Sequence, residues 1–245
     1  MLTIGEVSKK IGVSLDTLRR WDENGKLPAN RKKDEGHRYY KKEDVEEYIK
    51  NNLKDVFKMA RNWVLNESGV EPRLDFYCQD SSVFRARFER FKNELSQIEK
   101  IKKIYPLIAL IAGEIGDNSY AHNLGNWPDV MGIFFAYDLD KRKIVLADRG
   151  QGILTTLKDV KPGLSNHQDA LETAFTEFIS GRPTPPPGPP RGNGLKSVRE
   201  VVTDNKLSLF FQTGDAELMI QKGDYSLNIK KSTIYFRGCL ALIHF

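Results

Sequence analysis

The chain has 245 residues, 40% hydrophobic and 29% charged, with a net charge of +5, which suits one large or two modest domains with ordinary cores. No apolar run approaches the roughly 18 residues needed to span a bilayer, and no basic stretch followed by an apolar one opens the chain, so neither a membrane partner nor a secretory leader is expected. Two separated cysteines, Cys78 and Cys239, point to a reducing cytoplasm, and four scattered histidines exclude a zinc site of standard spacing.

The first element predicted is a short helix within Leu2–Val13, ending at Gly12. Thr3 and Glu6 have capping-box spacing, and Ile4, Val7 and Ile11 share a face. Ser14 then caps a second helix, Leu15 to Glu23. Its inner stripe is Leu15, Leu18 and Trp21, which leaves Asp16, Thr17, Arg19 and Arg20 outward. Two short helices joined by a glycine turn make a helix-turn-helix, whose second helix would enter a major groove. Gly25-Lys26-Leu27-Pro28 closes the unit, Asn30 to Tyr39 reads as a basic hairpin or wing, and 41–49 resumes as helix. From Arg19 to Lys42 there are nine basic residues and four acidic ones, an excess that suggests an anionic partner. Ile4-Gly5-Glu6-Val7, Gly12-Val13-Ser14, Thr17-Leu18-Arg19-Arg20-Trp21, Gly25 and Gly36-His37-Arg38-Tyr39-Tyr40 occur in an order that resembles the winged helix-turn-helix of the MerR and excisionase superfamily. The resemblance covers residues 1–50. It implies that the 14–23 helix reads double-stranded DNA through Ser14, Thr17, Arg19 and Arg20, and that Arg38 and Tyr39 of the wing hold the backbone. Trp21 reads as core. The competing reading is a helical protein-interaction module.

Residues 51–66 continue as a polar helix with Val56, Met59 and Trp63 on its apolar side, broken by Gly69-Val70-Glu71-Pro72. Ser82 to Tyr105 is again helical. Phe84, Phe88, Phe91, Leu95 and Ile98 form a seam at heptad spacing. Two heptads fit either a dimerising coiled coil or a helix packed on a neighbouring domain, and a homodimer would suit paired DNA half-sites. The expected domains are 1–50, a helical connector 51–105, and 106–245.

Pro106 to Leu124 is predicted as a helix. Glu114 and Asn118 lie four apart on it and so share a face. A carboxylate beside an amide on an otherwise apolar helix is costly to bury without a ligand, and the pair suits water and Mg²⁺, which prefers oxygen. Strands follow at 130–137 and 143–147. The second ends at Asp148-Arg149-Gly150-Gln151-Gly152, an acid capping a strand before two glycines that let a ligand approach the backbone. A helix over 168–179, a proline-rich stretch over 183–190 and Gly192-Asn193-Gly194-Leu195 at the start of a helix to Asp204 come next. Amides at such a start suit phosphate, but there is no P-loop. Strand-like runs at 207–213, 217–221, 225–230 with 233–236, and 239–245 close the chain.

Taken in order, Glu114-x-x-Asp117-Asn118, Asp148-x-Gly150-x-Gly152 and Gly192-x-Gly194-Leu195 resemble the N box and two glycine boxes of the GHKL superfamily of ATP-binding domains, over residues 106–245. The resemblance implies an α+β chain whose C-terminal part is a two-layer α/β sandwich, with helices on one face of a mixed sheet. It implies that Asp148 accepts from the adenine amino group beside Gly150 and Gly152, that Asn118 holds Mg²⁺, and that Gly192 and Gly194, with Leu195 following, present amides to phosphate. Glu114 matches the general base of the hydrolysing members. Lys196 stands where many members carry glycine and is a candidate phosphate contact. Three functions compete: a DNA-binding regulator switched by ATP–Mg²⁺, an ATPase or anti-sigma-type serine/threonine kinase targeted by the head, and a nucleotide-free interaction domain. The proline-rich stretch would stiffen a lid, or serve a protein partner of SH3 type. An autophosphorylating histidine kinase is not expected, because no histidine lies in a phosphoacceptor helix ahead of the domain.

Overall fold

The computed structural model describes residues 1–11, 13–31, 36–52, 55–177 and 194–245, and the chain divides into two units, Met1–Tyr77 and Cys78–Phe245. Both mix helix and strand, in keeping with the α+β class.

The first unit runs β1 (Leu2–Thr3), α1 (Ile4–Ile11), α2 (Leu15–Glu23), β2 (Asn30–Arg31), β3 (Arg38–Tyr40), α3 (Lys42–Asn52) and α4 (Val56–Val64). The capping box forms as its spacing predicts: the Thr3 amide and hydroxyl donate to Glu6 Oε2 at 2.7 and 2.8 Å, and the Glu6 amide donates back to Thr3 Oγ1 at 3.3 Å. Ser14 Oγ accepts from the Thr17 amide at 3.0 Å and starts α2. Val7, Leu18, Tyr40 and Val45 are fully buried in one core with Trp21. The head was expected to be all-α apart from its wing, yet it carries a three-stranded antiparallel sheet. Leu2 and Thr3 extend rather than lead into helix, and they pair with Tyr40 and Tyr39 of the wing. Residues ahead of an N-cap are free to extend, and a strand edge offers them partners. Gly12 and residues 32–35 of the wing lie outside the described residues.

Leu18 is 0% exposed and touches both helices' core partners. Leu18→Ala is expected to destabilise the head by about 2–5 kcal/mol, the usual cost of a buried leucine. Urea unfolding followed by Trp21 fluorescence would show it as a lower midpoint, and an unchanged midpoint would contradict this core.

The helix predicted over 51–66 starts at Val56, because Asp55 caps it: its Oδ1 accepts from the Phe57 and Lys58 amides at 3.2 and 3.4 Å. Of the stretch 51–105, α4 falls in the first unit and α5 (Ser81–Ser96) in the second.

The second unit begins at Cys78, the second residue of β4 (Tyr77–Cys78), and continues with α5, α6 (Tyr105–Asn123), β5 (Ile133–Asp138), β6 (Lys143–Asp148), α7 (Gly152–Lys158), α8 (His167–Thr176), α9 (Gly194–Asp204), β7 (Ser208–Gln221) and β8 (Asn228–His244). The strand order is β4-β5-β6-β8-β7. The pairings of β5 with β6, β6 with β8 and β7 with β8 are antiparallel, where the family resemblance implied a mixed sheet. Ile133, Phe135, Ile144, Leu146, Leu209 and Phe211 point from the sheet into one core shared with the helices. The heptad seam of α5 is spent there: Phe84, Phe91 and Leu95 are fully buried, and Phe84 and Phe91 meet Phe135 edge-on.

Several elements differ from the sequence reading: the helix expected over 82–105 ends at Ser96, and the last three strand-like runs fall in one strand, β8. The helix α7 was not predicted. It has seven residues and no side-chain cap at Gln151, and its β-branched Ile153, Thr155 and Thr156 give a weak helical signal. The runs read as separate strands at 207–213 and 217–221 are one strand, β7. Gly214 marks a register shift rather than an end, since a bulge absorbs the glycine without breaking the ladder. No helix among the described residues is long and apolar enough to cross a membrane.

Candidate functional site

On the head, α2 presents Arg19 and Arg20 on its exposed face, with Arg19 paired to Asp16. Ser14 is buried, and its hydroxyl lies 2.9 Å from that of Thr17, so both side chains are engaged in starting the helix. Trp21 is core, as expected, with the Lys26 ammonium 3.9 Å from its ring centre. Burial and the neighbouring Lys58 and Arg20 charges lower the Lys26 pKa. Tyr39 sits opposite both Thr3 and Asn30 in the small sheet.

Arg38 is not simply a wing residue reaching outward. Its Nε donates to Asp22 Oδ2 at 2.7 Å and its Nη2 to Glu23 Oε1 at 3.4 Å. Arg31 donates to the same Asp22 oxygen at 3.1 Å, and the Ala29 amide to Asp22 Oδ1 at 2.8 Å. Asp22 therefore ties the wing to the last turn of α2. Burial alone would raise its pKa, but the Ala29 amide and the two guanidinia bring it below the usual value. Asp22 was missed in the sequence because its partners lie 7–16 residues away on other elements.

In the second unit, the folding of α6 against β6 and α9 brings the predicted residues into two adjoining groups. Glu114 and Asn118 face the start of α9: a Cβ placed on Gly194 would lie 2.6 Å from Glu114 Oε2 and 3.3 Å from Asn118 Nδ2. A side chain there would fill the gap between the two helices. One residue further along α6, Ser119 donates to Asp148 Oδ2 at 2.8 Å, and the Gly150 amide donates to Asp148 Oδ1 at 2.9 Å. Asp148 is 2% exposed, and burial pushes its pKa up to about 6 despite these bonds and one from the Cys239 backbone. Gly152, with φ +76°, opens α7. Leu195 packs against the core, Lys196 is half-buried in the first turn of α9, and Gly192 lies outside the described residues.

Several residues of this neighbourhood carried no signal in the sequence. Thr213 Oγ1 donates to Gly238 O at 2.8 Å and accepts from the Ile153 amide at 3.3 Å. Gly238 has φ +78°, and a Cβ there would lie 2.1 Å from Asp148 O. Asn123, buried on α6, donates to Ser119 O at 2.7 Å and accepts from the Gln151 amide at 2.8 Å. Ser119 and Asn123 share α6 with a recognised motif; Thr213 and Gly238 come from strands remote in the chain. No group of three or more His, Cys, Asp or Glu side chains suited to a metal occurs among the described residues.

Comparison with known proteins identifies the first of these two surfaces. Residues 3–40 match the MerR family regulatory protein model. Over 111 residues the chain is 26% identical to an uncharacterized HTH-type transcriptional regulator of Haemophilus influenzae, a match covering 42% of this chain and 82% of that protein. Over 66 residues it is 36% identical to the type II methyltransferase M.Eco47II of Escherichia coli, covering 24% of this chain and 16% of that enzyme. Over residues 3–40 the N-terminal head thus carries a MerR-type helix-turn-helix.

Proposed function

We propose that this chain is a double-stranded-DNA-binding regulator, working in the cytoplasm, in which ATP–Mg²⁺ held by the second unit switches the MerR-type head. The observation that carries the reading is Asp148. A carboxylate 2% exposed, bonded by Ser119 and the Gly150 amide, bears a desolvation cost that the amino group of a bound adenine would offset. The neighbouring Glu114, Asn118 and Gly194 supply oxygen ligands and a helix start suited to phosphate. Asn118 would hold Mg²⁺, which bound there would neutralise phosphate charge. Gly194 and the first turn of α9 would donate amides, and Lys196 would add a positive charge.

The test is calorimetry of the full chain with ATP, with and without Mg²⁺, alongside thermal melting. A ligand at a hundred times its Kd stabilises by about 2.7 kcal/mol. DNA binding would then be measured with and without nucleotide. No heat and no melting shift would leave the nucleotide-free interaction domain. Gly194→Ala is expected to keep the fold, since the clash is with the movable end of Glu114, and to weaken ATP binding about tenfold or more by misplacing the phosphates. Unchanged affinity would remove Gly194 from the site.

A second reading, ATPase or serine/threonine kinase, is favoured by the position of Glu114 Oε2 at the start of α9, where a general base would face phosphate. Loss of turnover in Glu114→Ala with DNA regulation intact would support it, and absence of turnover in the wild type would end it.

A further inference from the structure

One carboxylate joins the elements that flank Asp148. Arg149, the residue after Asp148, is 3% exposed, and its Nε lies 3.1 Å from both Asp129 Oδ1 and Asp129 Oδ2. Arg237, on β8 immediately before Gly238, donates to the same Asp129 Oδ2 at 3.0 Å. Gly238 in turn packs directly on the Asp148 backbone and carboxylate. Asp129 lies on the loop that leaves α6, the helix carrying Glu114, Asn118 and Ser119. Burial would raise the Asp129 pKa, but the Arg149 bond, its neighbour Val130's amide and the Arg237 charge hold it below the usual value, so the group is ionised wherever the protein is folded near neutrality.

We propose that Asp129 is a positioning residue that clamps the Asp148 turn and the Arg237–Gly238 segment of β8 onto the loop after α6, and so sets the geometry of the nucleotide-base end of the site. Its effect on ATP rests on the function proposed above; its effect on the turn does not. A buried guanidinium is held in place by its counter-charge, because moving it away from the carboxylate leaves both desolvated and unpaired. Arg149 cannot shift without carrying Asp148, one residue before it. Arg237 adds a second arm from β8, and a carboxylate bridging two guanidinia fixes both segments at once.

The test uses the full chain with Asp129→Asn and, as a milder variant, Arg237→Ala, whose side chain is half-exposed and whose loss spares the buried pair. Hydrogen exchange of the ligand-free proteins reads the turn directly. The Gly150 and Gln151 amides, bonded to Asp148 and Asn123, are expected to exchange about tenfold or more faster in Asp129→Asn and by less in Arg237→Ala, with the amides of α1 and α2 unchanged. Unchanged protection at Gly150 in both variants overturns the clamp. ATP–Mg²⁺ titration is expected to show affinity lowered about tenfold or more in Asp129→Asn, recovered in part by Asp129→Glu. Equal affinity in wild type and Asp129→Asn overturns the role in the site. Faster exchange in a protein whose wild type does not bind ATP upholds the clamp and removes the nucleotide reading instead.

Discussion

Asp148→Asn is expected to abolish ATP binding while raising the melting temperature of the ligand-free protein. The two effects have one cause. Asp148 has a folded pKa of about 6 against an ordinary value of 3.8, so burial disfavours its charged form. About two units correspond to roughly 3 kcal/mol. Below pH 3.8 the group is protonated folded or unfolded and costs nothing. As pH rises from there through 6, the folded state must ionise a buried acid and loses stability, and above about pH 6 the whole cost is present. Asparagine removes that cost and keeps Gly150 and Ser119 satisfied: its oxygen accepts from Gly150, and its amide donates to Ser119, whose hydroxyl already reaches Ile115 O at 3.3 Å. The melting difference between variant and wild type should therefore be largest near pH 8 and shrink as pH falls below 6. For the ligand the sign reverses. An adenine amino group would meet an amide NH₂ in place of an acceptor, and a buried donor left unpaired costs enough to lower affinity about a hundredfold or more. Melting curves at several pH values and an ATP titration check both halves. Unchanged ATP affinity would remove Asp148 as the adenine anchor.

Asp22→Ala should disable the head while leaving Arg19 and Arg20 of α2 in place. Asp22 receives the Ala29 amide, Arg31 and Arg38, joining α2 to both wing strands. Hydrogen bonds to a charged group contribute about 1.5–3 kcal/mol each. Loss of the carboxylate leaves Arg38, only 19% exposed, with the more distant Glu23. A loss of about 2 kcal/mol in head stability is expected, with DNA affinity falling about tenfold or more as the wing loses its register to α2. The folded Asp22 has a lowered pKa, so its contribution is present above the ordinary carboxylate pKa and lost as pH falls through the folded one. Variant and wild-type heads should converge in strong acid. Arg19→Ala offers the contrast: it should leave the head stable and reduce the salt dependence of DNA binding by about one phosphate contact. Measurements of DNA affinity against salt for both variants separate the roles. Full affinity in Asp22→Ala would show that the wing needs no such tie.

The head was legible because its signals are short-range. Thr3 and Glu6, Ser14 and Thr17, and the Leu18–Trp21 stripe are separated by three residues, and helical geometry alone brings them together. What that reading lost was also a matter of range. The small sheet needs Leu2 to find Tyr40, and the bond from Arg38 to Asp22 joins two elements 16 residues apart. In the second unit the motif residues were visible as residue types in order, and the apolar seam of α5 was visible as periodicity. Periodicity cannot distinguish a partner helix from the chain's own sheet, and the sheet took it.

The sequence by itself determined the head's two helices, its basic character and the candidacy of Glu114, Asn118, Asp148 and Gly194, because capping, amphipathic spacing and glycine turns are local physics; the α+β class came with the family resemblance. Tertiary structure alone decided that Gly194 stands against Glu114 and Asn118, that Ser119 and Gly150 hold a buried Asp148, and that Asp129 binds Arg149 and Arg237. Apart from the bond between Gly150 and Asp148, these contacts join segments 20 or more residues apart in the chain. They arise where packing helices onto a sheet strips polar groups of water and leaves each to pair with whatever the fold has brought within reach.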